Sequence, residues 1–403
     1  AARLHDHLTA HPDTPLQDIE HTLTHRATHP HRAIITTHQH HTALQALNAL
    51  THHQPHPALT HHHTTHTDTP KTVFVFPGQG SQYPGMTQGL LTTSPTFRDT
   101  IEEIQEALNP HINWNLTHVL QQHPNAPTLD RVDIVQPTLF AVLVALARHW
   151  QHHGIHPHAV IGHSQGEIAA AHIAGALTLH DAATITTTRA QALTRLEGHG
   201  AMASLKLNAH QTQQLLTTHW PHQLTIAAIN SPTTTIVAGD TTPLHQLLHH
   251  CTQHHIQARP INVTYASHTH HTDPLQQHLH THLNHINPQP AHTPFHSTVT
   301  TTPLNTTQLT PHYWFQNLRQ TVQLHPTITN LLNTHHHTLI EISPHPVLTP
   351  SLHETADTHP TNPLITHTLH RNQPDQHTFH TQLAHINTHH PHPTWTTTNN
   401  NKK

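Results

Sequence analysis

Apolar positions in this chain occur with two different periods. Lys71–Phe76, KTVFVF, is an almost unbroken apolar run stopped by Pro77 and Gly78, which predicts a strand buried on both faces. Helical spacing follows over roughly residues 97–108 and 134–150. HAVIGH, residues 158–163, reads as another strand, and 166–195 as two helices separated near Thr178–Asp181. That alternation predicts an α/β unit with a parallel sheet. Residues 201–262 read differently: AMASLKL, LTIAAIN, TTTIVAG and ARPINV have strand character, while NAHQTQQLLTTHW and PLHQLLHHCTQHHI have helical spacing. The order βαββαβ is that of a ferredoxin-like split unit, expected as a small subdomain inserted in the larger one. From 263 to about 355 the chain is expected to return to the large subdomain, with LIEIS (339–343) as a buried strand. Before residue 53, two helical patterns (AARLHDHLTAH and HTALQALNAL) surround a strand-like HRAIITT. Residues 53–70, rich in Pro, His and Thr, read as a linker. Residues 356–403 read as a polar tail with a weak helix near 377–387.

Composition changes this picture at one point. Of 403 residues, 33% are hydrophobic, 9% are charged and 62 are histidine. The length suggests about two to four domains. The histidines are spread from end to end and stand where surfaces usually carry Arg, Glu or Asp. They are therefore expected to be surface polar residues rather than metal ligands, and this includes the runs His61-His62-His63 and His335-His336-His337, which lack carboxylate or Cys partners at ligand spacing. The formal charge of −5 should swing positive as they titrate near ~6.5. A single cysteine, Cys251, excludes an internal disulfide and suits a reducing compartment. The absence of a signal segment or a long apolar span gives no reason to expect a membrane, and the lack of a basic cluster with aromatics gives none to expect nucleic acid. A cytoplasmic setting is expected, as part of a longer polypeptide.

All 11 glycines lie between Gly78 and Gly239; four sit in FPGQGSQYPGMTQG and two flank Ser164, each group at a strand end. One cluster, Gly162-His163-Ser164-Gln165-Gly166, fits the G-x-S-x-G elbow, a strand-to-helix turn that lifts the serine hydroxyl to a helix N-terminus. The base candidate is His268, which follows a strand in VTYASH. Arg189, 25 residues after Ser164, could pair with a substrate carboxylate; a structural ion pair is the plainer reading of spacing alone. The other cluster, Phe76-Pro77-Gly78-Gln79-Gly80-Ser81-Gln82, lacks the G-K-[ST] of a phosphate loop.

FVFPGQGSQYPGM, RVDIVQPTLFAVLVALA, GHSQGE, TTTIVAGD, YASH, YWFQNLRQTV and EISPHPVL occur in this order. Together they resemble the acyltransferase domain of modular type I polyketide synthases over residues 71–355. Residues 1–70 resemble the linker after a ketosynthase, and 356–395 the start of the linker that follows the acyltransferase. The resemblance implies an α/β-hydrolase-like large subdomain (71–200 and 263–355) with a ferredoxin-like insertion (201–262). It implies transfer of an extender unit from acyl-CoA, through a seryl ester, to the phosphopantetheine thiol of an acyl carrier protein, with a ketosynthase adjacent and no bound cofactor or metal. Residue by residue, Ser164 matches the nucleophile, His268 the base, Arg189 the carboxylate clamp, Gln79 and the Gln165 N–H the oxyanion donors, and Gln136 and His163 pocket positions. The histidine's partner in this family is a main-chain carbonyl, expected at Asn317. Tyr265 and Ser267, in Tyr265-Ala266-Ser267-His268, resemble the methylmalonyl-CoA form; the malonyl form carries His and Phe there. Four alternatives stay open: malonyl-CoA selectivity; a G-x-S-x-G thioesterase or hydrolase using Asp240 as its acid; a His-rich metal module; and an inactive scaffold of the same fold.

Overall fold

A computed structural model of the chain describes residues 1–27, 29–63, 71–334 and 336–389. The chain forms two compact units. One comprises residues 1–70, 149–156 and 372–403. In it β1 (His31–Ile35) pairs antiparallel with β2 (Leu59–His63). The expected linker therefore contains a strand; LTHHH has weak apolar alternation, and its pairing with HRAII is a contact across sequence that no local pattern shows. Residues 64–70 lie outside the described residues. The tail is also more ordered than its polarity suggests. Asp375–His389 is a helix that buries Phe379, Leu383 and Ile386, and Phe379 packs its ring against Trp150 at 4.6 Å.

The second unit comprises residues 71–148 and 157–371. Its strands are β3 (Lys71–Phe76), β4 (Ala159–Gly162), β5 (Ala201–Leu205), β6 (Leu224–Ser231), β7 (Thr234–Gly239), β8 (Ala258–Ile261), β9 (Phe295–His296), β10 (His336–Glu341) and β11 (Leu364–His367). A parallel sheet runs in the order β11-β10-β3-β4-β9. Val73, Val75, Ala159, Ile161 and Leu339 pack on one face against Leu324, Ile328 and Leu331; the alternation follows from the two-residue period of a strand. Placing β11 in this sheet carries the large subdomain beyond residue 355. Leu364–His367 is only four residues long, too short to register as a buried run.

The insertion forms a sheet in the order β6-β7-β5-β8, antiparallel throughout. That is the ferredoxin-like arrangement expected from βαββαβ. Helices Ala209–His219 and Thr241–Gln253 cover it through Leu216, Leu244 and Leu247. A bridge pairs Ala228 of β6 with Val322 of the large subdomain.

Helix Val132–His152 is long and apolar enough to span a membrane by length and composition, contrary to the absence of such a span expected from sequence; it is mostly buried, as a core helix is. Many threonines are buried, and in helices their hydroxyls bond back to the carbonyl four residues earlier, as Thr138 does to Ile134 (2.7 Å) and Thr187 to Ala183 (2.8 Å). Back-bonding satisfies the hydroxyl, so threonine serves inside helices as well as on surfaces. Among the described residues, no cluster of three His, Cys, Asp or Glu side chains is placed to hold a metal. His61–His63 lie in β2, where His62 stacks on His389. His335 and the side chains of His336 and His337 lie outside the described residues.

Candidate active site

β3 and β4 are neighbours, and Phe76 is paired with Gly162 at their carboxyl ends. Both Gly-rich turns therefore emerge side by side, where parallel sheets bind ligands. The elbow is sterically fixed. A Cβ on Gly162 would stand 2.1 Å from the Glu167 nitrogen, and one on Gly166 would stand 2.2 Å from the Phe76 carbonyl oxygen. Ser164 itself has φ +55°, the strained backbone that this turn requires. Gln165 precedes helix Gly166–Ile173, whose first N–H groups bond back to the His163, Ser164 and Gln165 carbonyls of the turn.

Ser164 Oγ lies 2.8 Å from His268 Nε2. His268 Nδ1 lies 2.8 Å from the Gln320 carbonyl. A carbonyl only accepts, so Nδ1 carries the ring proton and Nε2 presents its lone pair to the serine. Burial, then the nearby Arg189 charge, lowers the His268 pKa to about 3, which keeps the ring neutral. The carbonyl partner belongs to Gln320, not Asn317. Asn317 sits inside helix Pro311–Arg319, where carbonyls run along the axis; Gln320 ends the helix in extended conformation (φ −87°, ψ 159°), so its carbonyl turns outward.

The Asn317 side chain has another place in the site. Its Nδ2 donates to the Ser164 carbonyl (3.1 Å) and to Glu167 Oε2 (2.8 Å), while its Oδ1 accepts from Arg189 Nη1 (2.6 Å). Arg189 Nη2 donates to Ser164 Oγ at 2.9 Å. Burial lowers the Arg189 pKa to about 10, opposed by Tyr265 and Glu167, and a guanidinium at that value stays charged near neutrality. Tyr265 donates its hydroxyl proton to Gln79 Oε1 (3.0 Å) and bonds Gln136; burial lifts its pKa to about 12. Gln79 is thereby left with its Nε2 as the free donor. Gln165 Nε2, Gln136 Oε1 and Arg189 Nε are buried without a hydrogen-bond partner among the described residues. His163 is held by Asn230 (2.9 Å), and the Ser267 hydroxyl points to Met202 Sδ (3.7 Å).

The structure thus brings Ser164, His268, Arg189 and Asn317 into one hydrogen-bonded group, with Gln79, Tyr265 and Gln136 joined in another. Asp240 lies elsewhere: it bonds His271 Nε2 at 2.9 Å. The hydrolase alternative required it on the base, and Gln320 occupies that position. Sequence reasoning missed Glu167. The available signal was one acid, in GHSQGE, heading an otherwise apolar helix.

Residues 73–393 match the protein family described as acyl transferase domain. The chain is 43% identical over 358 residues to the spectinabilin polyketide synthase system protein NorA of Streptomyces orinoci, covering 89% of this chain and 19% of that protein. Among solved structures it is similar to the acyltransferase domain from module 8 of the salinomycin polyketide synthase (TM-score 0.94, 39% identity, 98% of this chain and 93% of that one). It is also similar to the acyltransferase domain of SpnD in complex with 2-(pent-4-yn-1-yl)malonyl (TM-score 0.86, 26% identity, 96% and 92%). The chain spans about a fifth or less of the polyketide synthase proteins it matches. A serine elbow with a neutral histidine base on a parallel sheet, and these matches over most of its length, make the chain a member of the acyl transferase domain family, an acyltransferase of the kind built into modular polyketide synthases.

Proposed function

We propose that this domain loads methylmalonyl from its CoA thioester onto Ser164 and passes it to the phosphopantetheine thiol of an acyl carrier protein. The observation that carries the reading is the buried Arg189, whose guanidinium reaches Ser164 Oγ at 2.9 Å. A buried charge beside a nucleophile favours an acyl group with a second, free carboxylate and disfavours acetyl or propionyl, which would leave it unpaired.

Ser164 gives its proton to His268 Nε2 as Oγ attacks the thioester carbonyl. The oxyanion faces the Gln165 N–H and the Gln79 amide. The C–S bond breaks, and the CoA sulfur leaves with the proton from His268. In the second half, the carrier thiol gives its proton to His268 and attacks the seryl ester, and Ser164 leaves with that proton. No resident cofactor is required.

The α-methyl reading rests on Tyr265 and Ser267. The Ser267 hydroxyl contacts Met202 Sδ at 3.7 Å, and serine is smaller than the phenylalanine of the malonyl form. The SpnD domain was solved with a malonyl group substituted at the same carbon. Intact-mass measurement of the acyl-enzyme after mixing equal methylmalonyl-CoA and malonyl-CoA tests this. A methylmalonyl adduct in excess, absent in Ser164→Ala, is expected. A predominant malonyl adduct overturns the substrate reading; rapid release of both free acids overturns the transferase reading.

A further inference from the structure

Glu167 takes no part in the steps above, yet it is fully buried three residues after the nucleophile. Its carboxylate is saturated. Thr298 donates to Oε1 through its N–H (2.6 Å) and hydroxyl (2.7 Å); Tyr313 (2.6 Å) and Asn317 Nδ2 (2.8 Å) donate to Oε2. The Asn317 bond has a consequence at the other end of the same amide, where Oδ1 accepts from Arg189. A flipped amide would set Oδ1 against two acceptors, Glu167 Oε2 and the Ser164 carbonyl, and turn its NH2 toward the guanidinium, donor against donor. Glu167 supplies the charged member of the set that forbids the flip.

We propose that Glu167 is a positioning residue for substrate selection: by fixing the Asn317 amide with its oxygen toward Arg189, it holds the guanidinium where it receives the carboxylate of the acyl group. This rests on the reading that Arg189 binds that carboxylate.

Two readouts separate positioning from scaffolding. One is the KM and kcat for acylation by methylmalonyl-CoA. The other is the rate of Ser164 sulfonylation by phenylmethylsulfonyl fluoride, a neutral reagent that needs the serine and histidine but no carboxylate clamp. Glu167→Gln keeps the shape and presents a donor to Asn317. KM should rise about tenfold or more, as for a lost hydrogen bond to a charged group, while sulfonylation changes by less than about twofold. Asn317→Ala, which removes the link itself, should also raise KM; because it loses the bond to the Ser164 carbonyl as well, its sulfonylation rate is not used as a control. Equal losses in both readouts for Glu167→Gln, or no rise in KM, overturn the proposal; if circular dichroism shows Glu167→Gln unfolded, Glu167→Asp, which keeps the charge but shortens its reach toward Asn317, is measured in its place with the same split expected. Arg189→Ala separates the two readings. If it leaves KM unchanged, the carboxylate reading itself fails. If it raises KM while Glu167→Gln and Asn317→Ala do not, only the role of Glu167 fails.

Discussion

His268 has one ring proton, and the Gln320 carbonyl takes it. The ring can therefore act only as acceptor toward Ser164, and burial holds its pKa at about 3. An exposed histidine would titrate near ~6.5 and switch such a base off below that pH. Here the acylation rate at saturating substrate should show no inflection near ~6.5; a stopped-flow pH profile with a break there would contradict the assigned tautomer and burial. His268→Ala should reduce acylation by about 10²–10⁴-fold, the usual worth of a general base, measured as the rate of CoA release. The proposed methylmalonyl selectivity is assigned to Tyr265 and Ser267. On that proposal, Tyr265→His with Ser267→Phe removes the tether on Gln79 and adds bulk at 267, so the methylmalonyl to malonyl ratio in the competition should fall by about tenfold or more. Ser164, His268 and Arg189 could be singled out from motif order, whereas the direction of every hydrogen bond among them depended on residues far along the chain.

The elbow depends on two elements meeting with no room for a side chain. Gly162→Ala pushes a methyl into the first turn of helix Gly166–Ile173, against backbone that cannot move independently of the sheet. It should cost about 3 kcal/mol or more in chemical denaturation, with loss of acylation. Gly198→Ala, where a Cβ meets nothing but φ is +82°, should cost only the backbone strain, about 1–2 kcal/mol, and leave acylation intact. Strands with continuous apolar runs were legible, β3 from end to end. β2, β9 and β11 were not: they have two to five residues and are strands because a neighbour pairs with them. The same holds for the carbonyl on His268. Helix Pro311–Arg319 could be expected from YWFQNLR, but the turn of the chain at Gln320 is set where residues 321–323 run beside β6, with Val322 bonded to Ala227 and Ile229.

Burial lowers the pKa of histidines in both units. In one unit burial, reinforced by neighbouring histidines, lowers His149 to about 3 and His153 to about 4. In the other, His268 is held at about 3 and His367 at about 4. Folding keeps these rings neutral, so the unfolded chain binds more protons wherever pH lies between those values and 6.5. Their contribution is complete above 6.5 and is lost as pH falls toward 3. Glu354 works in the same direction at lower pH. Burial raises it, but hydrogen bonds from Lys206, Ser231 and Thr233 of the small subdomain outweigh this and hold it at about 2, so its contribution is lost as pH falls from 4.5 toward 2. Urea midpoints should therefore drop steadily from pH 7 to pH 4, and Glu354→Gln should lower the midpoint at pH 7 with less effect at acid pH. Sequence alone determined the alternation that makes a parallel sheet, the inserted βαββαβ unit and the elbow serine, because local periodicity and glycine placement act within a few residues. Tertiary structure decided which carbonyl holds His268, that Asp240 serves His271, and that Glu167 joins Arg189 through Asn317. Each of these is a contact between groups tens of residues or more apart, and a hydrogen bond is directional: its partner is settled only when folding brings one acceptor, and not another, within 3 Å.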